Sequence, residues 1–164
     1  MARCLIIACG CRGRLLAARL TSQGHAVRGT TRRPGNRASI EAAGAEAVVA
    51  DPDRVATLAG AFDHVSVTCV LLGSAVGPPD RLAALHGPRL EMLLARMLDT
   101  TVRGIVYEAA GSVDRAVLQA GAAVVRSACE RSLIPFSLLT ATPAQSEQWL
   151  AAAMRGVEGI LGAP

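Results

Sequence analysis

CLIIACGCRGRLLAARLTSQGHAVRGTTRRPG, residues 4–35, decides the fold of this chain. The run Cys4-Leu5-Ile6-Ile7-Ala8 is apolar throughout, as expected of a strand covered on both faces of a parallel sheet. Gly10 and Gly13 follow at once. From Arg14 to Gln23, Leu15, Leu16, Ala18 and Leu20 recur at helical spacing, and Gly24 closes the helix before His25-Ala26-Val27 opens a second strand. Strand, glycine turn, helix and strand is the order a dinucleotide site requires. A pyrophosphate needs bare backbone N–H groups at a helix N-terminus, where the dipole favours negative charge.

Two registers of the glycine pattern are open. In one, G-x-G-x-x-G falls on Ala8, Gly10 and Gly13, with alanine in the first place. In the other, G-x-x-G-x-x-G falls on Gly10, Gly13 and Leu16. The first is preferred, because Gly10 then admits a phosphate and Gly13 admits close helix–strand packing. It requires Ala8 to tolerate the tight turn at a negative φ. A ligand-free βαβ turn is the plain alternative.

The end of the second strand bears on the cofactor. An NAD site usually carries a carboxylate about 20 residues past the glycines, for the ribose hydroxyls; an NADP site carries arginine. Here the strand runs into Gly29-Thr30-Thr31-Arg32-Arg33-Pro34, with no carboxylate before Glu41. Guanidinium groups grip a 2′-phosphate bidentately and stack on adenine. NADP(H) is therefore expected over NAD(H). A solvated basic loop is the competing explanation.

Composition narrows the chemistry. The chain has 164 residues, 51% of them hydrophobic and 2% aromatic, which predicts one compact domain over 1–164 without a separate substrate domain. No apolar run reaches the ~18–20 residues of a membrane span, and no secretory signal is legible, so a cytoplasmic protein is expected. All 17 basic residues are arginine. Without lysine there is no Tyr-x-x-x-Lys dyad, no P-loop lysine and no Schiff base. The arginines are scattered and stacking aromatics are scarce, which speaks against nucleic acid. Cys4, Cys9, Cys11, Cys69 and Cys129 have no metal-ligand spacing. Cys4, Cys69 and Cys129 read as small core residues, whereas Cys9 and Cys11 lie in the turn, where a helix N-terminus lowers a thiol pKa.

The remaining sequence continues the alternation. A helix is predicted over Gly35–Gly44 and a strand over Ala45–Ala50. Asp53 is expected to cap a short helix to Leu58, followed by a strand over Asp63–Val70. Leu71–Asp80, broken by glycine and proline, reads as a loop facing ribose and nicotinamide. Pro88 suits the first turn of a helix to Leu98. A strand over Arg103–Glu108 precedes a helix capped by Ser112 and running to Ser132. A sixth strand over Pro135–Leu139 and a helix over Pro143–Leu161, carrying Trp149, complete the chain.

With these motifs in place, IIACGCRG…LAARLTSQGHAVRGTTRRP resembles the atypical short-chain dehydrogenase/reductases, near their epimerase-like and nitrogen-metabolite-repressor-like branches. The resemblance is strong over residues 3–72 and topological beyond. It implies an α/β, doubly wound parallel sheet of about six strands in order 3-2-1-4-5-6, with helices on both faces. By position it implies Gly10, Cys11, Arg12 and Gly13 at the pyrophosphate, and Thr31, Arg32 and Arg33 at the adenosine phosphate. Asp51 would lie near the adenine, and Leu71, Leu72 and Gly73 along the ribose. The family's serine, tyrosine and lysine do not carry over, since Gly111 stands four residues after Tyr107.

His86, ahead of a helix, and Tyr107 and Glu108, at the end of the fifth strand, are the proton-transfer candidates that remain. Their plainer roles are an exposed loop position, a core aromatic and an ion-pair or capping residue. The sequence thus points to a small NADP(H)-binding protein, either a reductase of a small molecule or a non-catalytic redox sensor acting through a protein partner. Self-association is compatible with either.

Overall fold

A computed structural model describes residues 1–164. Six parallel strands form one sheet: β1 (Arg3–Ile7), β2 (Ala26–Thr31), β3 (Glu46–Val49), β4 (Val67–Val70), β5 (Gly104–Glu108) and β6 (Phe136–Leu139), in the order β3-β2-β1-β4-β5-β6. β1 is central, with Cys4 opposite Val27 on one side and Val67 on the other. Parallel neighbours require crossovers, and six α-helices help to supply them: α1 (Cys11–Ser22), α2 (Arg37–Ala42), α3 (Pro79–Leu85), α4 (Pro88–Leu98), α5 (Arg115–Ser132) and α6 (Ser146–Leu161).

The continuous apolar run of β1 is explained by two cores. Leu5 and Ile7 join Phe62, Leu94, Val125 and the rest of one core, with α4 and α5. Cys4 and Ile6 join Leu16, Leu20, Ile40, Trp149 and Val157 in the other, with α1, α2 and α6. A strand whose side chains alternate between two covered faces has no position for a polar residue. No helix is long and apolar enough to cross a membrane.

Several boundaries differ from the sequence expectation. The buried face of α1 is Gly13, Leu16, Ala17 and Leu20, while Leu15 and Ala18 face outward. Asp53 caps nothing: a 3-10 helix begins at Val55 and runs to Phe62, and the Asp53 carboxylate pairs with Arg81. The fourth strand is only Val67–Val70, because His64 turns the chain at a φ of 60°. The expected loop to Asp80 ends earlier, since Pro79 starts α3. Ser112 does not cap α5 either. Asp114 does, its carboxylate accepting from the Ala116 N–H at 2.8 Å.

Candidate functional site

The turn between β1 and α1 forms the floor of a groove at the carboxyl ends of the central strands. Ala8 takes a φ of 61°, not the negative value expected of it. Left-handed alanine is strained by roughly 1–2 kcal/mol, and the turn is held in that shape by β2. The Ala8 N–H donates to the Thr30 hydroxyl at 3.1 Å, and the Cys9 N–H donates to the Thr30 carbonyl at 2.8 Å. Gly10 then stands at the N-cap of α1, just before Cys11, with a φ of −83°, which any residue can adopt, and a β-carbon there would meet nothing within 4 Å. The open space is where an anion would approach the first N–H groups of the helix. Gly13 differs, because a β-carbon would press on Ile6 Cγ2 at 3.2 Å and on Cys9 Sγ at 3.3 Å.

A groove of about 340 Å³ extends from this turn. Gly10, Cys11, Arg12, Gly13, Thr31, Arg32, Arg33, Leu71 and Leu72 all line it. Asp51 and Gly73 do not. The Asp51 carboxylate accepts from the Asp53 N–H at 2.9 Å, which shapes its own loop. Gly73 sits behind the wall, its N–H donating to Glu108 Oε1 at 2.8 Å. Arg81, which the sequence reading passed over, also lines the groove. Its Nε donates to Asp53 Oδ2 at 2.7 Å and its Nη1 to the Val76 carbonyl at 2.8 Å. The lining thus carries Arg12, Arg32, Arg33 and Arg81 and no carboxylate.

A second cavity of about 740 Å³ opens beyond the ends of β5 and β6, and Ser74 lines both spaces. Leu118, Leu138 and Pro143 give it an apolar body, and Arg115 is its one charged lining residue.

His86, Tyr107 and Glu108 line neither space. His86, ending α3, is 1% exposed rather than an open loop residue. Its Nε2 is 3.0 Å from the Leu72 carbonyl and its Nδ1 is 2.6 Å from the Tyr107 hydroxyl. A carbonyl only accepts, so Nε2 carries the proton and Nδ1 accepts from the tyrosine. Burial lowers the His86 pKa below 6.5, partly offset by the Leu72 contact, and favours the neutral ring. Burial, helped by the Glu108 charge, raises the Tyr107 pKa well above its usual value. The Tyr107 hydroxyl occupies the space a side chain at Gly121 would take.

Glu108 is fully buried and accepts from three segments: Gly73 N–H, Trp149 Nε1–H at 2.9 Å, and Arg12 Nη2, which lies 3.3 Å from both carboxylate oxygens. Arg12 also stands 5.6 Å from the centre of the Trp149 ring, a cation–π distance. Among the thiols only Cys11 is exposed, and all five are free. Cys9 is buried and its pKa is raised by that burial to about 11, contrary to the lowering expected at a helix N-terminus. No group of His, Cys, Asp and Glu has the makings of a metal site.

No family model matches the sequence, and no curated protein matches it. The fold is matched by solved structures. A short-chain dehydrogenase/reductase superfamily protein from Agrobacterium tumefaciens with bound NAD aligns with a TM-score of 0.70 at 22% identity, over 84% of this chain and 48% of that one. The UDP-glucuronic acid 4-epimerase of Bacillus cereus in complex with NAD aligns at 0.67 with 13% identity, over 84% and 55%. Vestitone reductase from alfalfa (Medicago sativa) aligns at 0.67 with 14% identity, over 85% and 56%. The chain has the fold shared by these proteins and spans about half their length.

Proposed function

We propose that this chain is an NADP(H)-binding protein of the atypical short-chain dehydrogenase/reductase type. The observation that carries this reading is the groove lining, which joins a helix N-terminus to Arg32 and Arg33, neither in an ion pair, and to Arg12 and Arg81, whose charges are partly offset by Glu108 and Asp53 behind the lining. A dinucleotide bearing a 2′-phosphate has the matching charge. The pyrophosphate would meet the N–H groups at the start of α1, with Arg12 beside them, and the 2′-phosphate would meet Arg32 and Arg33 after β2. Leu71 and Leu72 supply an apolar wall for the ribose side, and Arg81 closes the far side. NAD-bound proteins share the fold, which supports a nicotinamide dinucleotide. The preference for NADP rests on the arginines.

When bound, the dinucleotide supplies hydride transfer. Its nicotinamide end would point past Ser74 toward the second cavity, whose mixed apolar and polar lining would take a small-molecule substrate. Positioning of the two reactants is the main contribution asked of the protein.

The experiment is a calorimetric titration of NADP+ and NAD+ into wild type and into Arg32→Ala/Arg33→Ala. NADP+ should bind several-fold tighter to wild type, and the double variant should lose about ten- to a hundred-fold for NADP+ alone, as for a lost charge-assisted hydrogen bond. Equal affinities in wild type would end the NADP assignment.

A non-catalytic sensor is a second reading, and one observation favours it. His86, Tyr107 and Glu108 line neither cavity, leaving the substrate side without a titratable acid. A screen of carbonyl substrates following NADPH absorbance separates the two readings. Turnover that disappears in Tyr107→Phe or His86→Ala, with dinucleotide affinity retained, would return those residues to a proton-transfer role.

A further inference from the structure

We propose that Glu108 is a positioning residue for dinucleotide binding, whose buried carboxylate holds the Arg12 guanidinium in place for the pyrophosphate. The inference rests on the dinucleotide reading above and assigns Glu108 a role other than proton transfer.

A carboxylate cut off from water must be matched by donors, and at least one of them should carry charge. Glu108 meets this requirement with Gly73 N–H, Trp149 Nε1–H and Arg12, and Arg12 is the only cation of the three. The donors belong to the loop after β4, to α6 and to the first turn of α1. Two of these segments form walls of the dinucleotide groove. One carboxylate at the end of β5 therefore ties both sides of the groove together from behind.

Arg12 is fixed on two sides, by the carboxylate and by the indole ring. Its side chain is 27% exposed, yet its Nε is buried and has no hydrogen-bond partner. A guanidinium has five N–H donors, and this one goes without an acceptor. That N–H is sealed from solvent and stays unpaired behind the groove, so an oxyanion at the N-terminus of α1 would meet the exposed part of the Arg12 side chain instead. The Glu108 charge already offsets part of the Arg12 charge, so Glu108 contributes direction to the phosphate contact rather than added attraction.

The test compares two ligands that differ by the pyrophosphate. NADP+ and adenosine 2′-monophosphate are titrated by calorimetry into wild type, Arg12→Ala, Glu108→Gln and the double variant. Glutamine keeps the shape but turns one acceptor into a donor facing donors. Each single variant should weaken NADP+ about ten-fold, the loss expected for one charge-assisted contact. The 2′-monophosphate should be held as in wild type. The double variant should be no worse than Arg12→Ala, because Glu108 acts through Arg12. A Glu108→Gln variant that loses both ligands alike, adds its loss to that of Arg12→Ala, or keeps full NADP+ affinity would overturn the proposal.

Wild type provides a second readout should Glu108→Gln fail to fold. Trp149 is the sole tryptophan, and its ring and N–H touch Arg12 and Glu108. NADP+ and inorganic pyrophosphate should change its emission, the 2′-monophosphate should not, and Arg12→Ala should remove the change. Saturation with NADP+ without any change would refute the coupling while leaving the dinucleotide reading intact. Binding of neither nucleotide to wild type would reject both.

Discussion

At the scale of single residues, the turn between β1 and α1 separates the demands of folding from those of the proposed ligand site. Gly10 has an ordinary φ and open space around it, so a side chain there should leave the fold alone and obstruct the anion. Gly10→Val is expected to keep its thermal midpoint and lose dinucleotide binding. Gly13→Val should lose stability as well, by about 1–3 kcal/mol, because Ile6 and Cys9 stand in the way. Thermal unfolding and calorimetry on the two variants distinguish these effects. Ala8 gives the opposite sign. A left-handed alanine gains from glycine, which removes the steric penalty at some cost in chain entropy, so Ala8→Gly should stabilise by about 0.5–1 kcal/mol in urea unfolding. The sequence pointed to this turn but not to its backbone, since the Thr30 anchors that impose the positive φ lie 22 residues away in the chain.

At the scale of elements, helix α5 and the His86–Tyr107 contact offer two checks. Asp114→Ala should cost about 1 kcal/mol through the lost cap, while Ser112→Ala should change little. Tyr107→Phe leaves the buried His86 Nδ1 without its donor and should cost ~1–3 kcal/mol in urea unfolding. The lowered His86 pKa gives a pH signature. At pH values between the folded pKa and 6.5 the unfolded chain holds the proton more tightly, so stability contributed by neutral His86 is complete above 6.5 and falls as the pH drops below it. His86→Gln should flatten that acid-side decline. The strands were legible as apolar runs between glycine and proline breaks. α3 was not, because Gly73, Gly77, Pro78 and Pro79 crowd its start and the same residues read as loop. Its misassignment also hid Arg81, which the helix turns into the groove.

At the scale of the whole molecule, the sheet order agrees with the expectation carried by residues 3–72, but the network behind the groove does not follow from any local pattern. Arg12 and Glu108 are 96 residues apart and Trp149 lies 41 beyond Glu108. Only the closure of the sheet, with β4 between β1 and β5, brings them together. Helical and strand periodicities describe faces; they do not say which side chains meet across the crossover. The distribution of thiols over this architecture has a consequence for its kinetics. Cys4 in β1, Cys69 in β4, Cys9 in the turn and Cys129 in α5 are buried, and only Cys11 meets solvent. An alkylating reagent should therefore modify Cys11 in a fast phase, slowed by a dinucleotide seated over it. The other four should react only when their own region opens, and burial holds Cys129 in one core and Cys4 in the other. Their relative rates, followed by mass spectrometry, become a native-state clock for each layer. A single common slow rate means that the two layers part together, whereas earlier modification of Cys129 means that the α4–α5 layer lifts first.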